Sequence, residues 1–202
     1  MNGKDFEKLC QLQMDREERL GRATMSRCGV HAVHVDGQWT PIHSLPDFAG
    51  VLLGGREFVF DCKVCHQASF PLDDDKFKAR QLKHMLTRSR FGSVCFLLIH
   101  FPARPLKTRE VAALTVAFPV CADHQFWNRV WTGEAKRITR EDALEYGIEV
   151  QWTTPKGKRG KPKPDLWPAI MELGRRAIVA PLNSQNAAPQ RTLFSEEELE
   201  QP

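Results

Sequence analysis

The chain has 202 residues, 42% hydrophobic and 27% charged, which suits one globular domain with a tail and leaves no room for two large domains. No apolar run reaches bilayer length, and the charged start "MNGKDFEKLCQLQMDREERL" lacks a signal peptide's apolar stretch, so the expected location is cytoplasmic, with six reduced cysteines. The net charge of +4 is unevenly spread: four glutamates sit in the last thirteen residues, and residues 1–189 hold 28 basic against 21 acidic side chains, or +7, a balance that permits a nucleic-acid partner.

From Asp5 to Leu20, the residues Phe6, Leu9, Cys10, Gln13, Met14 and Glu17 recur at helical spacing, with Glu7 beside the stripe. "CGVHAVHV" and "QWTPIH" flank Asp36-Gly37 and read as a hairpin. "DFAGVLL" and "REFVFDCK" are two more strands, joined tightly at Gly54-Gly55. Lys76 to Arg88 has helical periodicity, and "SVCFLLIHF" is a strand buried on both faces.

"ALTVAF" is a further strand and "DHQFWNRVW" a helix. "TREDALEYG" is a helix opened by Thr139 with Asp142 three residues on and closed by Gly147. "IEVQW" reads as a strand, "TPKGKRGKPKP" as an exposed basic loop, and "DLWPAIMELGRR" closes the folded region. The order predicts an α/β sandwich, with residues 1–180 folded and 181–202 a flexible tail of linker composition.

The stretch "FDCKVCHQ" admits three parsings. Cys62-Lys-Val-Cys65-His66 fits covalent haem attachment, which needs export and is set aside. Cys62 and Cys65 could join Cys121 and His124 in a zinc site. Strand alternation favours the third: Phe58, Phe60 and Cys62 share one face, while Asp61 and Lys63 project from the other as a carboxylate and an ammonium able to serve a divalent cation and a phosphate. Counting from the Gly54-Gly55 turn brings Asp47 nearly opposite Asp61. The plainer alternative is a surface ion pair with Asp47 as a turn cap.

"LPDFAGVLLGGREFVFDCK", "SFPL", "KARQLKHM" and "GSVCFLLIHF" together resemble the core of the RecU-type Holliday-junction resolvases, a branch of the PD-(D/E)xK nucleases, from about Gly3 to Phe101. The resemblance implies a restriction-endonuclease-like mixed sheet flanked by helices. It also implies a homodimer that cuts branched double-stranded DNA using Mg2+ or Mn2+. Asp47 and Asp61 would bind metal, Lys63 would position the water or stabilise the phosphorane, and Glu7 and Gln81 would complete the catalytic set. Two departures stand out: Asp61 replaces the family's usual Glu, and only "DGQWTPIHSL" occupies the place of a long junction-entering stalk.

Outside that core, Lys156, Lys158, Arg159, Lys161 and Lys163 are candidate phosphate contacts or a solvated loop. In the tail, Gln190, Leu193 and Phe194 in "QRTLF" resemble the short peptide that bacterial sliding clamps accept. A non-catalytic recombination accessory protein on the same fold is the alternative function.

Overall fold

The computed structural model describes residues 1–28, 31–35, 38–42, 46–72, 76–105, 110–154 and 162–179. In chain order the first half contains α1 (Gly3–Arg19), β1 (Ala23–Arg27), β2 (His31–Val35), β3 (Gln38–Ile42), β4 (Phe48–Leu52), β5 (Glu57–Val64), β6 (Ser69–Pro71), α2 (Lys76–Arg90) and β7 (Val94–Phe101). The second half contains β8 (Arg104–Pro105), β9 (Glu110–Val111), β10 (Leu114–Pro119), α3 (Gln125–Trp131), β11 (Arg137–Thr139), α4 (Arg140–Tyr146), β12 (Ile148–Glu149), β13 (Trp152–Thr153), β14 (Lys163–Pro164) and α5 (Trp167–Val179).

Six strands form one sheet in the order β1-β4-β5-β7-β10-β12. All neighbours are antiparallel except β5 and β7, which run parallel and are joined through α2, because a parallel pair needs a crossover rather than a hairpin. The mixed sheet with helices on both faces is the architecture expected from the sequence. No described helix is long and apolar enough to cross a membrane.

Each sheet face carries its own core. On one, Phe6, Cys10 and Met14 of α1 and Ile170 and Leu173 of α5 cover Phe48, Phe58, Phe60, Cys62, Phe96 and Leu98. On the other, Leu82 and Met85 of α2 and Phe126 and Trp127 of α3 cover Val59, Leu97, Ile99, Val116 and Phe118. All eight residues of β7 are buried, which explains its unbroken apolar run: it has no solvent face to populate with polar residues.

Local chemistry accounts for the element ends. The Asn2 side chain accepts the Asp5 amide at the start of α1, and Thr139 with Asp142 forms the capping box of α4. The polar members of the α1 stripe are buried together: Gln13 donates to Glu17, and Arg22 pairs with the same carboxylate at 3.0 Å. Gly54 and Gly55 turn β4 into β5 at φ 100° and 87°, the left-handed region that glycine enters without a Cβ penalty.

Two features, and the setting of a third, escaped the sequence reading. β1 is an edge strand with one buried residue, Ala23, so it shows no alternation. The segment "IEVQW" is split: β12 ends the main sheet, and β13 leaves it to pair with β14. The β2–β3 hairpin, though foreseen, stands as its own two-stranded sheet between β1 and β4, at the point where the implied stalk would lie. The tail, 181–202, lies outside the described residues.

Candidate active site

The β4–β5 register pairs Phe48 with Phe60, so one further step sets Asp47 across from Asp61. There the ladder gives way to a side-chain bond: the Cys62 amide donates to Asp47 Oδ2 at 2.8 Å. On its other flank the Asp47 carbonyl accepts the Cys28 amide at 2.9 Å. Asp47 is therefore held from both neighbouring segments, and its half-buried carboxylate keeps one oxygen outside these bonds.

Asp61 is fully buried and belongs to a three-membered polar ring. Gln81 of α2 donates through Nε2 to Asp61 Oδ1 at 2.7 Å, while its Oε1 accepts from Lys63 Nζ at 3.1 Å. Lys63 Nζ in turn lies 2.5 Å from Asp61 Oδ2. That oxygen has a cation beside it but no aligned hydrogen bond, and burial of an under-satisfied carboxylate oxygen is costly unless a positive charge meets it.

Burial pushes the Asp61 carboxyl up to about 7; Lys63 opposes the shift and Asp47 adds to it. Burial alone would lower Lys63, but the Asp61 carboxylate outweighs it and holds the ammonium above its usual range, so the proton stays on Lys63. Glu7 lies at the rim. Burial and then the Asp47 charge raise its pKa, while Arg27 and Lys63 oppose, which places it within electrostatic reach of the ring. Its carboxylate is ion-paired with Arg27 of β1, a residue that no alternation singles out, since β1 has one buried position.

Oxygen donors of this kind suit a hard divalent cation: Mg2+ is held by one or two carboxylates, completed by water and substrate phosphate. Asp47 and Asp61 Oδ2 fit that role. Among the described residues no three His, Cys, Asp or Glu side chains cluster closely enough to hold a metal on their own.

The zinc reading is overturned. Cys62 lies among the phenylalanines of one face beside Cys10, and Cys65 lies in the core of the other, where its thiol reaches the Ser69 carbonyl at 3.3 Å. With the sheet between them, the two sulfurs cannot meet at one ion. His124 is occupied at the start of α3, where Nδ1 accepts the Phe126 amide. No disulfide joins any of the six cysteines.

Of the basic loop, Lys156, Lys158, Arg159 and Lys161 lie outside the described residues, as do Gln190, Leu193 and Phe194 of the tail. Lys163 is half-buried in β14, opposite Thr153, in a strand that packs along α1.

The family model described as RecU, Recombination protein U, matches residues 34–156, a span that holds Asp47, Asp61, Lys63 and Gln81. Among solved structures, Hjc of Archaeoglobus fulgidus, a Holliday junction resolvase from an archaeal hyperthermophile, is similar with 18% identity, a TM-score of 0.39, and coverage of 73% of this chain and 95% of its own. No curated protein matches.

Proposed function

Because the chain belongs to the RecU family, we propose that it is a structure-selective endodeoxyribonuclease that resolves four-way DNA junctions by hydrolysing phosphodiester bonds. The observation that carries this reading is the buried Asp61–Gln81–Lys63 ring set opposite Asp47. A surface ion pair needs no such burial, and a DNA-binding accessory role needs no such ring.

Asp47 and Asp61 would hold Mg2+ or Mn2+, which supplies Lewis-acid stabilisation of the phosphate and a lowered pKa for a bound water. The remaining work belongs to the chain. Lys63 presents positive charge next to Asp61, where negative charge builds on the pentavalent phosphorus in the transition state. Gln81 fixes both partners: its amide N–H groups orient Asp61, and its carbonyl limits where the ammonium can swing. Glu7, released from Arg27 or sharing it, supplies further negative charge at the rim. The replacement of Glu by Asp at position 61 shortens the reach by one methylene and keeps the charge.

Branched double-stranded DNA is the proposed substrate and a homodimer the working form, since paired cuts across a junction require two centres. Labelled four-way junctions, linear duplex and flaps incubated with the protein in Mg2+ or Mn2+ test the reading. Paired symmetric cuts in the junction, absent with Asp61→Asn, are expected. Tight junction binding with no cleavage in either metal overturns it in favour of an accessory role.

A further inference from the structure

The sheet face that bears Asp61 and Lys63 continues past them onto a pair of arginines. The parallel register aligns Asp61 with Leu97 and Lys63 with Ile99, so Phe101 is the next residue of β7 on that face. The Arg140 guanidinium lies over the Phe101 ring, 5.5 Å from its centroid, and donates through Nη2 to the Ala112 carbonyl at 2.7 Å. From Leu97 to Phe101 is about 13 Å along the strand.

Arg104, in β8 just beyond β7, pairs with Val111, the neighbour of the Ala112 whose carbonyl Arg140 holds, so the two guanidinium-bearing residues meet on one short hairpin and their charges repel. Its Nε is buried without a hydrogen-bond partner, and neither arginine forms an ion pair among the described residues. Among the described residues, the exposed Glu141 is what offsets the charge felt by Arg140. Two like-charged planar forks, one of them fixed on an aromatic ring and a carbonyl, form an arrangement that an oxyanion relieves, because guanidinium donors match phosphate oxygens in pairs.

We propose that Arg104 and Arg140 form a clamp for a DNA backbone phosphate at the carboxyl end of β7, on the sheet face that carries Asp61 and Lys63. The clamp rests on the nuclease reading and deepens it: it names where the strand entering the carboxylates is gripped.

The test measures junction affinity against salt concentration in Mg2+, on an Asp61→Asn background that binds without cutting, with wild-type cleavage run alongside. The double change Arg104→Gln and Arg140→Gln is expected to weaken binding about tenfold and to lower the slope of log affinity against log salt by about one. Arg104→Lys with Arg140→Lys is expected to keep the slope, since the point charges remain, while losing part of the affinity with the fork geometry. Should the double Gln protein fail to fold, Arg104→Gln alone is expected to lower affinity and slope in the same direction by a smaller amount, since Arg140 stays held on Phe101 and the Ala112 carbonyl. An unchanged slope and affinity in the Gln variants, with the wild type cutting junctions, overturns the clamp and leaves the nuclease standing. A wild type that neither binds nor cuts overturns both.

Discussion

Asp47 and Asp61 face each other across the open end of the β4–β5 pair, yet only Asp61 is sealed from water. Asp47 also stands in for a ladder bond, accepting the Cys62 amide that no backbone carbonyl of β4 reaches. One carboxylate thus carries a structural bond and a proposed metal contact, and the two duties separate by substitution.

Asp47→Asn retains an oxygen for the Cys62 amide but loses the charge. It is expected to melt near the wild type while cutting at least about a hundredfold more slowly, the loss that follows from several kcal/mol of missing metal-borne stabilisation. Asp47→Ala loses the bond as well and should in addition be destabilised by about 1–2 kcal/mol, read from denaturant unfolding. Equal stability of the two variants would remove the structural duty.

Gln81 contacts both charged partners and is expected to act by positioning them. Gln81→Leu leaves Asp61 Oδ1 without its donor and takes one of the two partners from Lys63, which keeps Asp61 Oδ2 beside it. Single-turnover cleavage should fall about 10- to 100-fold with junction affinity unchanged, and titration of Mn2+ by electron paramagnetic resonance should show weaker binding, as for other groups that orient metal ligands. Gln81→Glu brings a third negative charge beside a buried carboxylate and should be worse for folding than Gln81→Leu. A Gln81→Leu protein with wild-type turnover would dismiss the positioning role.

Much of this was legible in the chain because period-2 alternation does two things at once. In "EFVFDCK" it separates Cys62, bound for the core, from Asp61 and Lys63, and it makes the hairpin count to Asp47 meaningful; the observed register differs from that count by half a residue from the turn centre. Gln81 lay on a helix readable from its apolar positions. Arg27, Arg104 and Arg140 were not legible. The first sits in an edge strand with a single buried residue, and the other two sit in a two-residue strand and at the start of a seven-residue helix, where no periodicity develops. The zinc parse failed for a related reason: Cys62 and Cys65 are three residues apart in sequence but occupy opposite cores.

Gly50 should tolerate no side chain. A Cβ there would stand 2.3 Å from the Thr24 carbonyl oxygen and 2.5 Å from the Phe58 ring, and the first of these is backbone of the neighbouring strand β1. Gly50→Ala is expected to cost roughly 1–3 kcal/mol, a fall in Tm of several degrees for a chain of this size. Gly3→Ala, where nothing lies within 4 Å, is the matched control and should leave Tm unchanged or slightly raised. Similar behaviour of the two would mean that β1 does not approach β4 this closely.

His100 makes the fold acid-sensitive. Its ring is buried next to Phe6 and Trp152, and its Nδ1 lies 2.8 Å from Thr115 Oγ1, which also accepts the Trp152 indole N–H at 2.8 Å. The Thr115 hydroxyl thus bridges the indole and the imidazole. Burial first, then the positive charges of the N-terminus, His66 and Arg140, lower its pKa from 6.5 to about 4. The unfolded chain thus binds the proton more readily than the folded one. Stability from this group is complete above about pH 6.5 and drains away as pH falls toward 4, by roughly 2 to 3 kcal/mol. His100→Gln keeps an acceptor for Thr115 and cannot titrate, so its denaturant midpoint should fall less steeply between pH 6.5 and pH 4 than that of the wild type. Parallel pH curves for the two proteins would show that His100 takes up its proton in the folded state as easily as in the unfolded one.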